Sequence, residues 1–162
     1  MDRENSKNFE GFSVCHLDAT EKFAAIDDVI DGCKIFDELE DNKERFRRAV
    51  HRREIIETTG IGHGVAIAHG KLTCIDDVRV GLGISDEGID YNSKDGKPVH
   101  LLFVISSSPF TQINYLRALA SILKSVHDKD LRNEVSHLFC KDFKGTSCDV
   151  FLQMLAQQNF SK

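Results

Sequence analysis

The chain has 162 residues, 41% of them hydrophobic and 29% charged, with a formal net charge of −5. That length suits one domain able to bury roughly two-thirds of its unfolded surface without a disulfide or a structural metal. No apolar run approaches the roughly 18 residues of a membrane span. The polar opening MDRENSKNFEGF lacks the apolar core of a secretory signal, so a cytoplasmic protein with no direct membrane insertion is expected. Cysteines at 15, 33, 74, 140 and 148 are odd in number, scattered and free of any CxxC pair, which argues against a disulfide framework or a zinc site. The acidic balance disfavours a nonspecific nucleic-acid binder, although residues 45–53 concentrate arginines at 45, 47, 48, 52 and 53 that could face an acidic partner.

One domain is expected over residues 12–160, after a flexible N-terminus of residues 1–11, because no repeat, Pro-rich linker or low-complexity block divides the chain. Asp18 or Thr20 can N-cap a first helix in which Phe23, Ile26, Ile30 and Cys33 recur at helical spacing, ending near Gly32. Asp41 and Glu44 resemble a capping box for a second helix, with Phe46, Ala49, Val50 and Ile56 on its inner face and the arginines on the other. Glycines at 60, 62 and 64 then lead into Val65-Ala66-Ile67-Ala68, too short an apolar run for a helix and better read as a buried strand ending at His69. Further strands are expected at 78–84, where Val78, Val80, Leu82 and Ile84 alternate with Arg79, Gly81 and Gly83, and at 101–105. The polar stretch between them can hold a hairpin with a short strand around Ile89 and Tyr91. Pro109 or Thr111 opens a third helix with Leu116, Leu119, Ala120, Leu123 and Val126 inward. Asp128 can cap a fourth carrying Leu131, Val135, Leu138 and Phe139, and Thr146 or Ser147 a fifth with Val150, Phe151, Met154 and Leu155 inward. Helices, then strands, then helices imply an α/β fold: a central mixed sheet flanked by helices, without regular βαβ alternation.

The chemistry concentrates in RREIIETTGIGHGVAIAHGKL, where a glycine-led strand delivers His69. Phosphoryl transfer to imidazole needs a neutral ring nitrogen, donors for the phosphoryl oxygens and room for a partner to dock. His69 can meet these needs. Gly70 removes bulk beside it, Arg53 can offer a charge-assisted fork, and Thr58 or Thr59 can add hydroxyl bonds. An imidazole near its ordinary pKa of about 6.5 is largely neutral at cytoplasmic pH. Spacing alone leaves a second reading open, a strand-end histidine held by backbone groups. His63, between glycines, reads as a loop residue and a candidate supporting donor.

Competing motifs fail on their spacing. GVAIAHGK has five residues between Gly64 and Gly70 where a P-loop has four, and Leu72 stands in place of the metal-binding Ser or Thr. Gly60, Gly62 and Gly64 lack the third glycine of the dinucleotide fingerprint and precede a strand. His63 and His69 as joint metal ligands would have to converge across roughly 20 Å of extended chain, so no metal and no cofactor is expected.

The same residues resemble the active-site segment of the type-2 EIIA domains of the phosphoenolpyruvate-dependent phosphotransferase system, the fructose and mannitol class, with the nitrogen-regulatory branch nearest in pattern. The resemblance rests on Arg53-Glu54, on Thr59-Gly60-Ile61-Gly62, and on Gly64-Val65-Ala66-Ile67-Ala68-His69-Gly70 followed by Lys71-Leu72. HLDATEKFAAIDDVI is similar to the family's first helix and KPVHLLFVI to a later core strand. The resemblance implies a three-layer α/β/α sandwich in which His69 accepts a phosphoryl group from an HPr-like carrier and Arg53 helps to hold it. Three positions depart from the family pattern: Ala68 replaces the usual proline, His63 an asparagine, and Tyr115 a second histidine. A regulatory phosphocarrier is the reading implied first. A sugar-specific EIIA that passes phosphate to an EIIB protein is the alternative, and a binding module acting on a regulatory target with weak phosphorylation is a third.

Overall fold

The computed structural model describes residues 6–9 and 11–136. Six strands, β1 (Ser6–Phe9), β2 (Phe12–Leu17), β3 (Gly60–Gly62), β4 (Val65–Lys71), β5 (Arg79–Ile89) and β6 (Val99–Ser107), form one sheet in the order β1-β2-β5-β6-β4-β3. The pairs β2–β5 and β4–β6 are parallel, whereas β1–β2, β5–β6 and β3–β4 are antiparallel. The sheet is therefore mixed, as the order of elements in the sequence implied.

Helices α1 (Lys22–Gly32) and α2 (Lys43–Ile56), with a 3-10 segment at Lys34–Asn42 between them, cover one face. Helices α3 (Gln112–Val126) and α4 (Lys129–Ser136) cover the other. Alternation along the strands divides the core between these layers. Val65, Ile67, Leu101, Phe103 and Ile105 pack toward α3, and Ala66, Ala68, Leu102 and Val104 toward α1 and α2. The result is the expected α/β/α sandwich.

Several local expectations are corrected. Residues 6–9 belong to a strand paired with β2, not to a flexible N-terminus. Strand β2 itself was not anticipated, although its buried Phe12, Val14, Cys15 and Leu17 form a compact apolar run. The N-cap of α1 is Glu21, whose carboxylate accepts from the Phe23 and Ala24 amides, in place of Asp18 or Thr20. Helix α2 starts from Asn42 with no side-chain cap, so Asp41 and Glu44 form no capping box. The central strands are longer than their apolar cores because ladder hydrogen bonds continue through glycine and polar residues. Gly81 and Gly83 face α1 and its neighbours: a Cβ would come within 2.5 Å of Phe36 at the first and of Leu17 and Val29 at the second. Their bare backbone is what lets that layer close on β5.

Helix α3 is rotated relative to the expected face. Tyr115, Ala118, Ile122 and Val126 point inward, while Leu116 and Leu123 are exposed. Its start is well defined: Ser108 accepts from the Phe110 amide (3.1 Å), and Thr111 Oγ1 accepts from the Ser108 amide (2.9 Å), a capping box closed over Pro109. Asp128 accepts from the Asp130 amide at the head of α4, as expected, and Val135 is buried. Leu138, Phe139 and the fifth helix expected from Thr146 or Ser147 lie outside the described residues.

Candidate functional site

Strand β4 places His69 and Gly70 on opposite faces of the sheet. His69 looks toward α3, and its ring stands 5.6 Å from the Tyr115 ring, centroid to centroid, at 50°. Gly70 looks toward α2, where a Cβ would lie 2.9 Å from Val50 Cγ2 and 3.1 Å from the Val50 amide nitrogen. Gly70 therefore admits the close approach of α2, on the face of the sheet opposite His69. The strand also runs two residues past His69, so the histidine sits within a ladder instead of at its end.

The His69 imidazole is partly buried. Nδ1 lies 3.5 Å from the carbonyl oxygen of Ile67, so a proton on that nitrogen has an acceptor. Burial, foremost, holds the ring pKa below its ordinary value; the positive charges of Arg53 and Lys71 push the same way, while the Ile67 contact and Glu54 oppose them. The ring is therefore neutral near pH 7, with Nε2 carrying the free lone pair when the proton is on Nδ1.

Arg53 comes from the last turn of α2, where Nη1 donates to the Glu57 carbonyl (2.9 Å). Its positive charge favours a lower pKa at both His69 and Tyr115. Burial raises the Tyr115 phenol above its ordinary pKa, keeping it a hydroxyl donor.

Lys71 completes the group. Residues i and i+2 of a strand share a face, so Lys71 follows His69 toward α3. Its ammonium donates to Gln112 Oε1 (2.9 Å) and lies 5.4 Å from the centre of the Tyr115 ring. Sequence reading passed over Lys71, although strand periodicity alone would have paired it with His69.

Two expected supports are elsewhere. Thr59 is buried, and its hydroxyl donates to Glu54 Oε2 and meets the Tyr91 hydroxyl at 2.9 Å, so it is committed to the interior instead of a phosphate. Thr58 Oγ1 likewise donates to the Tyr91 carbonyl (3.2 Å) and accepts from the Gly60 amide (3.2 Å). His63 occupies the turn between β3 and β4 with φ of 57°, its amide bonded to Asp95 (3.0 Å). From Val65 to His69 the strand runs about 13 Å at its usual rise, which separates that exposed turn from the His69 ring.

The helix ends that carry Arg53 and Tyr115 also carry exposed apolar side chains. Ile55 and Ile56 (80% exposed) close α2; Phe110 (83%), Ile113 and Leu116 lie at the start of α3. Ile56 was expected on the inner face of α2, where Glu54 is found instead. Large exposed apolar side chains are the kind of group a protein-docking face offers. Among the described residues, no group of three or more His, Cys, Asp or Glu side chains is arranged to hold a metal, and no helix is long and apolar enough to cross a membrane. Cys15 and Cys33 are buried and not joined by a disulfide, the Cys33 thiol lying 3.5 Å from the Cys15 sulfur as a hydrogen-bond donor, and Cys74 is an exposed free thiol.

Known proteins share this architecture and sequence. The structure resembles nitrogen regulatory protein IIA-Ntr from Neisseria meningitidis, with a TM-score of 0.72, 19% identity, and 90% of this chain and 92% of that one covered. It also resembles enzyme IIA-Mtl in its complex with phosphorylated IIB-Mtl from Escherichia coli, with a TM-score of 0.65, 18% identity and coverage of 93% and 97%. At these identities the likeness speaks for the fold.

In sequence, the chain is 32% identical over 115 residues to a fructose-specific EIIA component from Haloferax volcanii, covering 71% of this chain and 73% of that protein. It is 36% identical over 84 residues to a nitrogen regulatory protein from Bradyrhizobium diazoefficiens, covering 52% and 55%. It is 29% identical over 120 residues to the fructose-specific EIIABC component of Bacillus subtilis, covering 74% of this chain but 19% of that protein. The chain thus spans about half of one of these relatives and a fifth of another. Residues 12–142 match the family described as phosphoenolpyruvate-dependent sugar phosphotransferase system, EIIA 2, and the chain belongs to that family.

Proposed function

We propose that the chain is a phosphoryl-accepting EIIA component in which Nε2 of His69 takes a phosphoryl group from an HPr-like carrier, in a regulatory role. One observation carries this reading: a neutral, partly buried imidazole whose Nδ1 faces the Ile67 carbonyl, with Arg53 and Lys71 supplying positive charge beside it. In the transfer, the Nε2 lone pair forms a bond to phosphorus. The bond from phosphorus to the carrier's histidine nitrogen breaks, and its electron pair returns to that ring. As His69 becomes phosphorylated its ring gains positive character, which the Ile67 carbonyl can accept through Nδ1–H. Arg53, Lys71 and the Tyr115 hydroxyl are the donors for the phosphoryl oxygens.

The exposed apolar residues at the ends of α2 and α3 support docking of a protein donor beside His69. Family relatives named as nitrogen regulatory proteins support the regulatory role. The fructose-specific relatives favour a second reading, onward transfer to an EIIB protein, and one related fold is known in complex with a phosphorylated IIB. Both readings place the protein's work in the cytoplasm, where such carriers would meet it.

The test is incubation with enzyme I, an HPr-like carrier and phosphoenolpyruvate, followed by mapping of acid-labile phosphate. Label on His69 that disappears in His69→Ala is expected; no label, or equal label in the variant, overturns the proposal. Adding purified sugar-specific EIIB proteins to the phosphorylated chain separates the two readings, since loss of label to one of them identifies the sugar route.

A further inference from the structure

The strongest interior polar feature lies one residue beyond Arg53. The Glu54 side chain is wholly buried at the end of α2, a position where an unpaired carboxylate is strongly disfavoured. Its oxygens collect donors from four directions: the Thr59 amide (3.0 Å), the Thr59 hydroxyl, the Tyr91 hydroxyl (3.2 Å) and the Lys22 ammonium (3.1 Å). Lys22 also stands 4.8 Å from the centre of the Tyr91 ring. The carboxylate thereby ties the first turn of α1, the last turn of α2, the approach to β3 and the segment after β5 to one point.

This knot encloses the anchor of Arg53. Between the residue that provides the carboxylate and the residue it grips twice, the chain makes a short link, and within that link the Glu57 carbonyl receives Arg53 Nη1. Fixing Thr59 against Glu54 fixes the Glu57 carbonyl, and with it the reach of the guanidinium toward His69. The carboxylate does not touch the imidazole.

We infer that Glu54 is a positioning residue for phosphoryl transfer, acting through the Glu57 carbonyl to aim Arg53 at His69. The inference rests on the reading of His69 as phosphoryl acceptor. Its test is a double-mutant cycle on the full chain with Glu54→Gln and Arg53→Ala, read in two ways.

The first readout is the His69 imidazole pKa by NMR titration, which needs no phosphate donor. Without Arg53, removing the Glu54 charge lowers the His69 pKa. With Arg53 present, the same change also frees the guanidinium to drift away, which raises it, so the downward shift is smaller or reversed. Equal shifts in both backgrounds overturn the inference. Thr59→Val leaves every charge in place and serves where Glu54→Gln does not fold; it raises the His69 pKa only when Arg53 is present, and equal effects again overturn the inference.

The second readout is the rate of His69 phosphorylation. Glu54→Gln slows it about fivefold when Arg53 is present and by less than about twofold when Arg53 is alanine, the coupling expected of residues that act through a shared network. Additive losses overturn the inference. A wild-type chain that takes no phosphate at His69 overturns the phosphoacceptor reading instead, and the titration cycle still decides whether Glu54 aims Arg53.

Discussion

The Tyr115 ring lies 5.6 Å from the His69 ring, tilted by 50°, and shields one side of it from water. The position that the family resemblance pairs with a second histidine is here a phenol whose pKa burial raises, so the neighbour of His69 can donate a hydrogen bond but does not exchange a proton near neutral pH. Because burial is the leading cause of the lowered His69 pKa, Tyr115→Ala is expected to raise it toward its ordinary value. NMR titration of the imidazole checks this; an unchanged or lower pKa would show that the shielding comes from elsewhere.

The same depressed pKa links stability to pH. The unfolded chain takes a proton on His69 at about pH 6.5, before the folded one does. Above that pH both states are neutral and the residue contributes nothing to pH dependence. As pH falls through about 6.5 toward the lower folded pKa, the unfolded state gains protons first and stability is lost. The wild-type chain should therefore lose more thermal stability than His69→Gln between pH 7.5 and pH 5, and equal losses would contradict the assignment.

Arg53→Ala should raise the His69 pKa, since the guanidinium charge lowers it, and slow phosphorylation. A hydrogen bond to a charged group contributes about 1.5–3 kcal/mol, so a loss of about 10- to 100-fold is expected. Arg53→Lys keeps the charge without the fork and should recover only part of the rate. Single-turnover phosphorylation at saturating carrier measures both.

Gly70→Ala should destabilise the fold by about 1–3 kcal/mol, the usual range for overpacking a close contact. Its Cβ would press on the backbone and side chain of Val50, neither of which can withdraw without moving α2. Urea unfolding would read the loss as a lower midpoint; a stability equal to wild type would mean that α2 shifts freely.

Phe110→Ser should leave stability within about 0.5 kcal/mol, because the ring is 83% exposed. If the face around it receives the carrier, the apparent KM for that carrier rises while the saturated rate holds. A variant indistinguishable from wild type in both would remove Phe110 from the docking face.

Much of the site could be read along the chain because its signals are local. The glycine-led run before His69, Arg53 sixteen residues earlier, and the alternation of Val78, Val80, Leu82 and Ile84 are patterns of neighbouring residues, and the fold honours them. Tyr115 was placed beside His69 by family resemblance, and the two rings do meet. Errors arose where spacing has more than one solution. Leu116, Ala120 and Leu123 follow a helical stripe as well as Tyr115, Ala118 and Ile122 do, and a helix can turn either stripe inward, while Leu119 and Val126 do pack on the core as expected.

Residue type and order thus settled the mixed sheet between helices and singled out the histidine proposed to carry the chemistry, since periodicity and turn residues act over a few positions. Which groups surround that histidine was settled by pairing across the fold. Thr59, a candidate phosphate donor by composition, spends its hydroxyl on Glu54 and Tyr91, because a buried carboxylate takes every donor within reach. Lys71 enters the site because a strand returns every second side chain to the same face, opposite the helix that brings Tyr115 and Gln112. His63, near His69 along the chain, stays in the β3–β4 turn because extended chain carries it away.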